Sequence, residues 1–393
     1  MKKKIAILGS TGSIGKTLIE IIDKQQDKID IVLLTANKDY KKLFFFAKKY
    51  KVNNLIITDK NSYKLLKSKT KNLNINIFND FNCFDKIFKK KIDYVMSSII
   101  GIDGLYPTIK IIKFTKKIAI ANKESIICGW DLINKEIKKN KTEFIPVDSE
   151  HFSLWYGLKN IKKKEIEKLY LTASGGPFLH LPLKSFRKIS IKQALKHPNW
   201  KMGNKISIDS ATMINKVFEI IEAKNIFDVS LNKIEILIHP KSYIHAICKT
   251  YNGLIKIIAH DTTMKIPIFN SIFSKELKKI KTNKINLNLL NRLNFEKVNP
   301  KRYPMINLLK KIPKKNSLFE TVIVSANDTL VDLFLKKKIH FIEIQKELFR
   351  IIRGKDFLKY KKIYPSNVDD IVDLNEYVRL KIMKKVYKSN DIY

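Results

Sequence analysis

The order of residues predicts an α/β chain built in three parts, and three changes of rhythm predict it. Short β-branched runs alternate with helical stretches through the first 150 residues, which implies parallel βαβ units and a doubly wound sheet. From about residue 149 strands follow one another with one helical interruption, the pattern of a central α+β domain. After residue 300 helical spacing dominates, so a helical bundle closes the chain. These changes set the boundaries at 1–148 for the doubly wound domain, 149–274 for the α+β domain, 275–300 for a linker and 301–393 for the helical domain.

In the first part the strand candidates are Lys4–Gly9, Ile29–Thr35, Asn54–Thr58, Ile92–Ser97, Lys117–Ala121 and Glu143–Val147. They read as continuous apolar runs, as strands do when helices cover both faces of a sheet. Helical segments fall between them at Ile14–Gln25, Tyr40–Tyr50, Gly104–Phe114 and Ser125–Lys139. In the second part Lys168–Thr172, Ile234–His239, Tyr243–Lys249 and Leu254–His260 are the strands, and Ser210–Lys224 is the helix among them. The third part carries helical spacing over Ser317–Lys336, Phe341–Arg353 and Val368–Lys388. The stretch between, rich in Lys, Asn and Leu, has no firm period and reads as a linker.

Hydrophobic residues make up 45% and charged residues 29% of the 393, a globular balance with material for real cores. No apolar run approaches the ~20 residues that span a bilayer. Three widely spaced cysteines, Cys83, Cys128 and Cys248, build neither a disulfide framework nor a zinc knuckle, and fit a reducing cytoplasm. The net charge of +40 invites a nucleic-acid partner, but only six of the 77 basic residues are arginine, the preferred reader of phosphates and bases. Lysine is spread along the chain beside abundant Ile and Asn, as A- and T-rich codons would produce. The charge therefore points to no specific nucleic acid.

Gly9-Ser10-Thr11-Gly12-Ser13-Ile14-Gly15 stands between the first strand and the first helix. Glycines there permit a tight turn and bring backbone N–H groups to a phosphate at a helix N-terminus. Gly15-Lys16-Thr17 imitates the end of a P-loop, but the glycine needed five positions earlier is Ser10. After the second strand come Asn37, Lys38 and Asp39; Lys38 suits an NADP phosphate, whereas Asp39 resembles the carboxylate of an NAD site.

Asp148-Ser149-Glu150 follows the apolar strand Phe144–Val147 and has two readings. An extended chain would project both carboxylates to one side, as hard ligands for Mg²⁺ or Mn²⁺. A helix start would make Asp148 or Ser149 a cap, with Glu150 in the first turn. Farther on, Asn215 and Glu219 stand at i,i+4 and Lys216 and Glu219 at i,i+3, so an amide, an ammonium and a carboxylate share one helix ridge. That ridge suits an anionic substrate beside a metal, or equally a solvated face with an intrahelical ion pair. Thr172–Pro177 is a second glycine turn with a hydroxyl, able to hold a phosphate. The loop His197-Pro198-Asn199-Trp200-Lys201-Met202-Gly203 suits closure over a ligand, or a surface loop anchored by its Trp. The remaining histidines show no zinc-ligand pairing.

Together these segments resemble the 1-deoxy-D-xylulose 5-phosphate reductoisomerase family. The match runs through the glycine turn at 9–15, Ala121-Asn122-Lys123-Glu124-Ser125, Pro146–His151, Ser174–Phe178, the loop at 197–203, Lys205–Glu219 and His239-Pro240-Lys241-Ser242. It covers most of residues 1–270. The resemblance implies a Rossmann-like NADPH-binding domain, a central catalytic, metal-binding and dimerisation domain, and a homodimer acting on a small phosphosugar. It implies NADPH contacts from Thr11, Gly12, Ser13, Ile14, Asn37, Lys38, Asp39, Asn122, Glu124 and Gly203. It implies that Asp148, Glu150 and Glu219 hold one divalent cation, Mg²⁺ or Mn²⁺, and act with Lys123 in catalysis. Substrate contacts fall to Lys123, Ser149, Glu150, Ser174, His197, Ser210, Asn215, Lys216 and Glu219, with Trp200 and Met202 in a lid.

The implied reaction rearranges 1-deoxy-D-xylulose 5-phosphate by retro-aldol and aldol steps to a branched aldehyde. Hydride from NADPH then gives 2-C-methyl-D-erythritol 4-phosphate. Two departures stand out. Asn37-Lys38-Asp39 replaces the family's Gly-Lys/Arg-Asn, with Asn37 expected to take over glycine's left-handed backbone and Asp39 to weaken a 2′-phosphate contact. The family's motif also decays after Met264–Ile268, a region expected to bear on the dimer surface.

Overall fold

The computed structural model describes residues 2–200, 202–274, 276 and 278–390, and the chain in it divides into two compact units. The first comprises Met1–Ser125, Asp131–Phe152 and Thr263–Lys281; the second comprises Ile126–Trp130, Ser153–Thr262 and Thr282–Tyr393.

The first unit is built on seven strands: β1 (Lys3–Leu8), β2 (Ile29–Ala36), β3 (Asn54–Ile57), β4 (Asn76–Phe78), β5 (Tyr94–Ser97), β6 (Lys117–Ile120) and β7 (Glu143–Pro146). All pair in parallel, in the order β4-β3-β2-β1-β5-β6-β7. Winding reverses between β1 and β5, and that switch point is where an open α/β sheet leaves a crevice for a ligand. Ile5, Ile7, Leu34, Leu55, Met96 and Ala119 lie fully inside, which explains the unbroken apolar strands. The sequence reading omits β4 and the helices Lys60–Lys69 and Phe84–Ile87. Lys60–Lys69 buries only Ser62 and Leu66, and β4 is three residues at a sheet edge, so neither leaves a strong apolar period.

Helix Lys265–Phe273 also belongs to this unit. Ile268, Phe269, Ile272 and Phe273 enter its core, and Ser271 Oγ shares a buried 2.7 Å hydrogen bond with Tyr94 Oη. The segment expected to bear on a dimer surface thus buries its apolar side within its own unit. An apolar stripe says that a helix is covered but not by what.

In the second unit β8 (Ile166–Ala173), β9 (Ile234–Ile238), β10 (Ile244–Thr250), β11 (Ile255–Ala259) and β12 (Glu296–Lys297) form a mixed sheet ordered β11-β10-β8-β9-β12. Only β8 and β9 are parallel; the other pairs are antiparallel. Leu169, Leu171, Ile220, Ala246 and Cys248 form the core under it. The stretch read as a linker carries β12, whose Glu296 pairs with Ile238, and a short helix Leu287–Leu290. Two polar residues at an edge make no strand pattern in a sequence. Lys275 and Leu277 of that stretch lie outside the described residues.

Helix Leu318–Leu335 is buried nearly all round, with Phe341–Arg353 and Val368–Asn390 packed along it. It starts on a capping box: Ser317 Oγ accepts from Phe319 N, and Glu320 Oε2 accepts from Ser317 N at 3.1 Å. Burial pushes the Glu320 carboxyl up to about 7. Cys83, Cys128 and Cys248 are free and buried. Among the described residues no helix is long and apolar enough to cross a membrane.

Candidate active site

In the first unit the turn after β1 needs its glycines for two separate reasons. Gly9 sits at φ +84°, where a side chain is strained. At Gly15 a Cβ would lie 2.4 Å from Gly9 O and 2.6 Å from Ser10 Cα, so only glycine lets helix Ser13–Asp23 start this close to the strand end. Gly12 holds the N-cap position with no side-chain cap, leaving the first-turn N–H groups of Ser13 and Ile14 facing outward for an anion. Ser10 N donates to Thr35 O and Gly9 N to Thr35 Oγ1, both at 2.8 Å, which ties the ends of β1 and β2 together.

At the end of β2, Asn37 Nδ2 donates to Thr58 Oγ1 at 2.9 Å, and its backbone is not left-handed, contrary to expectation. The chain bends at Asn37 without a positive φ, and the side chain ties this loop to Thr58. Asp39 caps helix Tyr40–Tyr50, its Oδ1 accepting from Lys42 N at 3.1 Å. The expected rival of a ribose phosphate is therefore engaged by a helix start.

The ends of β6 and β7 carry the next group. Asn122 is buried and caps helix Lys123–Lys139: Oδ1 accepts from Ser125 N at 2.8 Å, and Nδ2 donates to Gly101 O at 2.7 Å. Its amide positions the loop after β5. Glu124 is buried in the first turn of the same helix. After β7 the chain turns directly into helix Ser149–Gly157, so Asp148 and Glu150 do not alternate along an extended strand. Asp148 Oδ1 accepts from Ser149 N at 3.0 Å, and Oδ2 pairs with Lys123 Nζ at 2.8 Å. The buried His151 ring stands 3.9 Å from the same oxygen, and Ser149 Oγ donates to Glu150 Oε2. Parallel pairing of Ile120 with Pro146 brings Lys123 opposite this helix start.

The second unit assembles the anion-type residues. Gly175 and Gly176 follow β8 at φ +83° and +64°, and a Cβ on Gly176 would approach Ser210 O to 3.1 Å. The turn thus brings Ser174 to the end of the helix that carries Ser210. That helix, Asn204–Thr212, and the next, Ile214–Phe227, are separated by Met213 at φ 67°; the sequence predicts one helix here. A left-handed residue inside an apolar period leaves no compositional mark when it is not glycine. Beyond the break Glu219 is buried, accepts from Asn215 Nδ2 and pairs with Lys216 Nζ, the ridge read from the spacing. Asp209, given no role from sequence, is buried between Asn327 Nδ2 at 2.8 Å and Lys205 Nζ at 3.0 Å and steadies the first helix.

His197 links this group to its loop. Nδ1 accepts from Trp200 N at 2.9 Å and Asn199 N at 3.2 Å, so the neutral ring carries its proton on Nε2, 3.1 Å from Ser174 Oγ. Ser174 Oγ also accepts from Gly176 N at 3.0 Å. Burial, and then the Lys216 charge, push the His197 ring down to about 4, so it is neutral at physiological pH. Asn199, which the motif contained without a role, donates to Pro240 O at 2.6 Å and Ser242 Oγ at 2.8 Å. Trp200 meets His245 edge-on with ring centres 6.2 Å apart. Lys201 of this loop lies outside the described residues. Gly203 caps helix Asn204–Thr212, and a Cβ there would meet no heavy atom within 4 Å, so the chain itself does not demand glycine. A cavity of about 870 Å³ elsewhere in this unit, lined by Ile189, Leu195, Phe334 and Ile339 among others, is lined by none of these residues.

A doubly wound sheet with an uncapped glycine turn at its switch point, in a chain whose other unit gathers hydroxyl, imidazole and ammonium groups, fits the class of dinucleotide-dependent oxidoreductases of phosphorylated substrates. The comparisons sharpen that class. Residues 5–129 match the 1-deoxy-D-xylulose 5-phosphate reductoisomerase family, residues 144–227 its C-terminal domain, and residues 261–381 the DXP reductoisomerase C-terminal domain. The reductoisomerase of Pelagibacter ubique (strain HTCC1062) is 57% identical over 382 residues, covering 97% of this chain and 98% of that one. The Zymomonas mobilis enzyme solved in complex with NADPH is 29% identical with a TM-score of 0.88, covering 98% of this chain and 99% of the other. A DOX-P reductoisomerase solved with NADPH, fosmidomycin and magnesium is 28% identical with a TM-score of 0.89, covering 98% of each. The chain belongs to the 1-deoxy-D-xylulose 5-phosphate reductoisomerase family.

Proposed function

We infer that the chain rearranges and reduces 1-deoxy-D-xylulose 5-phosphate to 2-C-methyl-D-erythritol 4-phosphate. NADPH supplies the hydride, and a divalent cation supplies Lewis-acid polarisation of the substrate's oxygens when bound. One cluster supports the substrate class most directly: the His197 Nε2–H and Ser174 Oγ at the β8 turn, within the field of Lys216. A donor imidazole, a hydroxyl, a backbone turn and an ammonium are the groups a phosphate monoester requires.

We assign the phosphate to Ser174, His197, Ser210, Asn215 and Lys216. Asp148, Glu150 and Glu219 are the proposed cation ligands; three carboxylates offer the hard oxygen donors that Mg²⁺ or Mn²⁺ prefers. Each is already steadied by a neighbour, Asp148 by Lys123, Glu150 by Ser149 and Glu219 by Asn215 and Lys216. Lys123 would stabilise developing oxyanion charge, and Ser149 would orient the substrate. Thr11, Gly12, Ser13, Ile14, Asn37, Lys38 and Asp39 form the dinucleotide side, with Asn122 and Glu124 shaping the wall at the reactive ring. Gly203 fits a close approach of the cofactor, since no neighbour in the chain explains its missing side chain. Trp200 and Met202 exclude water when the loop closes over bound phosphosugar.

The homodimer is proposed on the second sheet. Leu254, Ile255 and Ile257 are more than half exposed on or beside the edge strand β11, an apolar edge that a second copy would cover. A monomeric mass in light scattering at micromolar concentration would remove that assignment. Three buried free thiols support a cytoplasmic setting.

The deciding assay is NADPH oxidation with 1-deoxy-D-xylulose 5-phosphate, with and without chelator; turnover should require both substrate and cation. Glu219→Gln should reduce turnover by at least ~100-fold while the NADPH Kd holds. Normal turnover of that variant at saturating Mg²⁺ would refute the cation assignment.

A further inference from the structure

We propose that His260, one of the histidines to which the sequence gives no role, is a positioning residue for the loop at 197–203. It fixes the ring of His245, and His245 seats Trp200; the inference rests on the reading of that loop as a lid over bound phosphosugar.

All of these groups belong to the second unit. His245 is buried in β10, and His260 follows β11, which pairs antiparallel with β10. His260 N donates to Tyr243 O at 3.1 Å, so the pairing continues one step beyond β11. There the two imidazoles lie face to face, with ring centres 3.8 Å apart and planes inclined by 15°. His260 holds its neighbour a second time through the backbone. His245 Nε2 donates to His260 O at 3.1 Å, since a carbonyl oxygen only accepts. The His260 ring is held in turn: Nδ1 donates to Asp261 O at 2.9 Å, and Nε2 lies 3.4 Å from Ser153 Oγ. His245 therefore cannot tilt or slide without breaking a ring contact or a hydrogen bond.

Trp200 meets this braced ring edge-on, centres 6.2 Å apart, the arrangement that sets the positive edge of one ring against the negative face of another. The same stretch of chain holds the loop next door, where Asn199 Nδ2 donates to Pro240 O and Ser242 Oγ. Thr262 Oγ1 donates to Ser242 O at 3.3 Å, so residues 260–262 are tied to the loop's seat at both of its ends. A seat formed in advance lowers the cost of ordering an indole over a substrate. Loosening His245 should therefore weaken phosphosugar binding and spare the dinucleotide turn, which lies in the first unit.

The test is steady-state kinetics and NADPH titration of wild type, His260→Ala, His260→Phe, Trp200→Ala and the His260→Ala, Trp200→Ala double variant. His260→Ala should raise KM for 1-deoxy-D-xylulose 5-phosphate about 3- to 10-fold, with kcat and NADPH affinity within about twofold of wild type. His260→Phe keeps a ring face against His245 and gives up the hydrogen bonds to Asp261 and Ser153; its KM should return to within about twofold of wild type. In the Trp200→Ala background, His260→Ala should change KM no further, because it acts through the indole. Fluorine NMR of chain labelled with fluorotryptophan gives a direct readout. The Trp200 signal, identified by its loss in Trp200→Ala, should shift in His260→Ala while that of Trp130 stays in place. An unchanged KM in His260→Ala, additive effects of the two substitutions, or movement of the Trp130 signal together with a fall in kcat and NADPH affinity overturns the proposal. A wild-type KM in Trp200→Ala alone would instead overturn the lid reading.

Discussion

The glycine turns after β1 and β8 both end a strand and both use positive φ, yet they offer donors from different parts of the chain. After β1 the glycines let a helix N-terminus come close with no side-chain cap, so its backbone N–H groups are the donors this turn offers. After β8 the glycines instead admit the end of a neighbouring helix, so side chains gather: Ser174, His197 and, next to the turn, Ser210. The first arrangement is written in seven consecutive residues. The second depends on segments dozens of positions apart, and it can respond to what closes over it. A dinucleotide phosphate suits the fixed site, and a substrate that must be enclosed suits the assembled one.

Gly15→Ala should have the largest effect on this contrast. Its Cβ would press on backbone atoms that cannot move aside, costing about 1–3 kcal/mol of stability and most of the NADPH affinity. A melt and an NADPH titration indistinguishable from wild type would mean that the first turn is not built around close backbone approach. Ser174→Ala should be smaller and of another kind. It removes an acceptor for Gly176 N and the partner of His197 Nε2, so KM for the phosphosugar should rise about 5- to 10-fold, with unfolding free energy down by ~1 kcal/mol and NADPH affinity unaltered. A fall in NADPH affinity would erase the division of labour between the two turns.

The most subtle effect concerns protons. With the His197 ring held at about 4, below its ordinary ~6.5, the folded chain resists protonating it. The stability that this ring contributes is therefore present above pH ~6.5 and lost as pH falls through about 4. Nuclear magnetic resonance of the imidazole should show a midpoint near 4, with release of the loop from Nδ1 reported by Trp200 fluorescence in the same interval. A midpoint near 6.5 would show that the ring is neither buried nor holding the loop.

Much of this site is legible before any folding. Tyr40–Tyr50 and Phe341–Arg353 are read to the residue, because a capped or strongly amphipathic helix carries its own ends. The Asn215–Lys216–Glu219 ridge follows from helical spacing alone. Other readings fail for reasons that are local in cause and remote in consequence. Asn37 is expected to take a left-handed backbone, and its φ is not positive. Of the two readings of Asp148-Ser149-Glu150, the helix start holds and the extended strand does not, because the helix begins at Ser149.

The amino-acid order alone determined the parallel sheet, its glycine turn and the chemistry of the candidate side chains, since period, β-branching and turn residues act within a few positions. Only the tertiary structure decided that Met213 breaks a helix, that Gly176 backs onto Ser210 and that the His197 ring is held neutral. Those outcomes depend on close packing and desolvation, which arise from residues far apart in the chain and leave no mark on local composition.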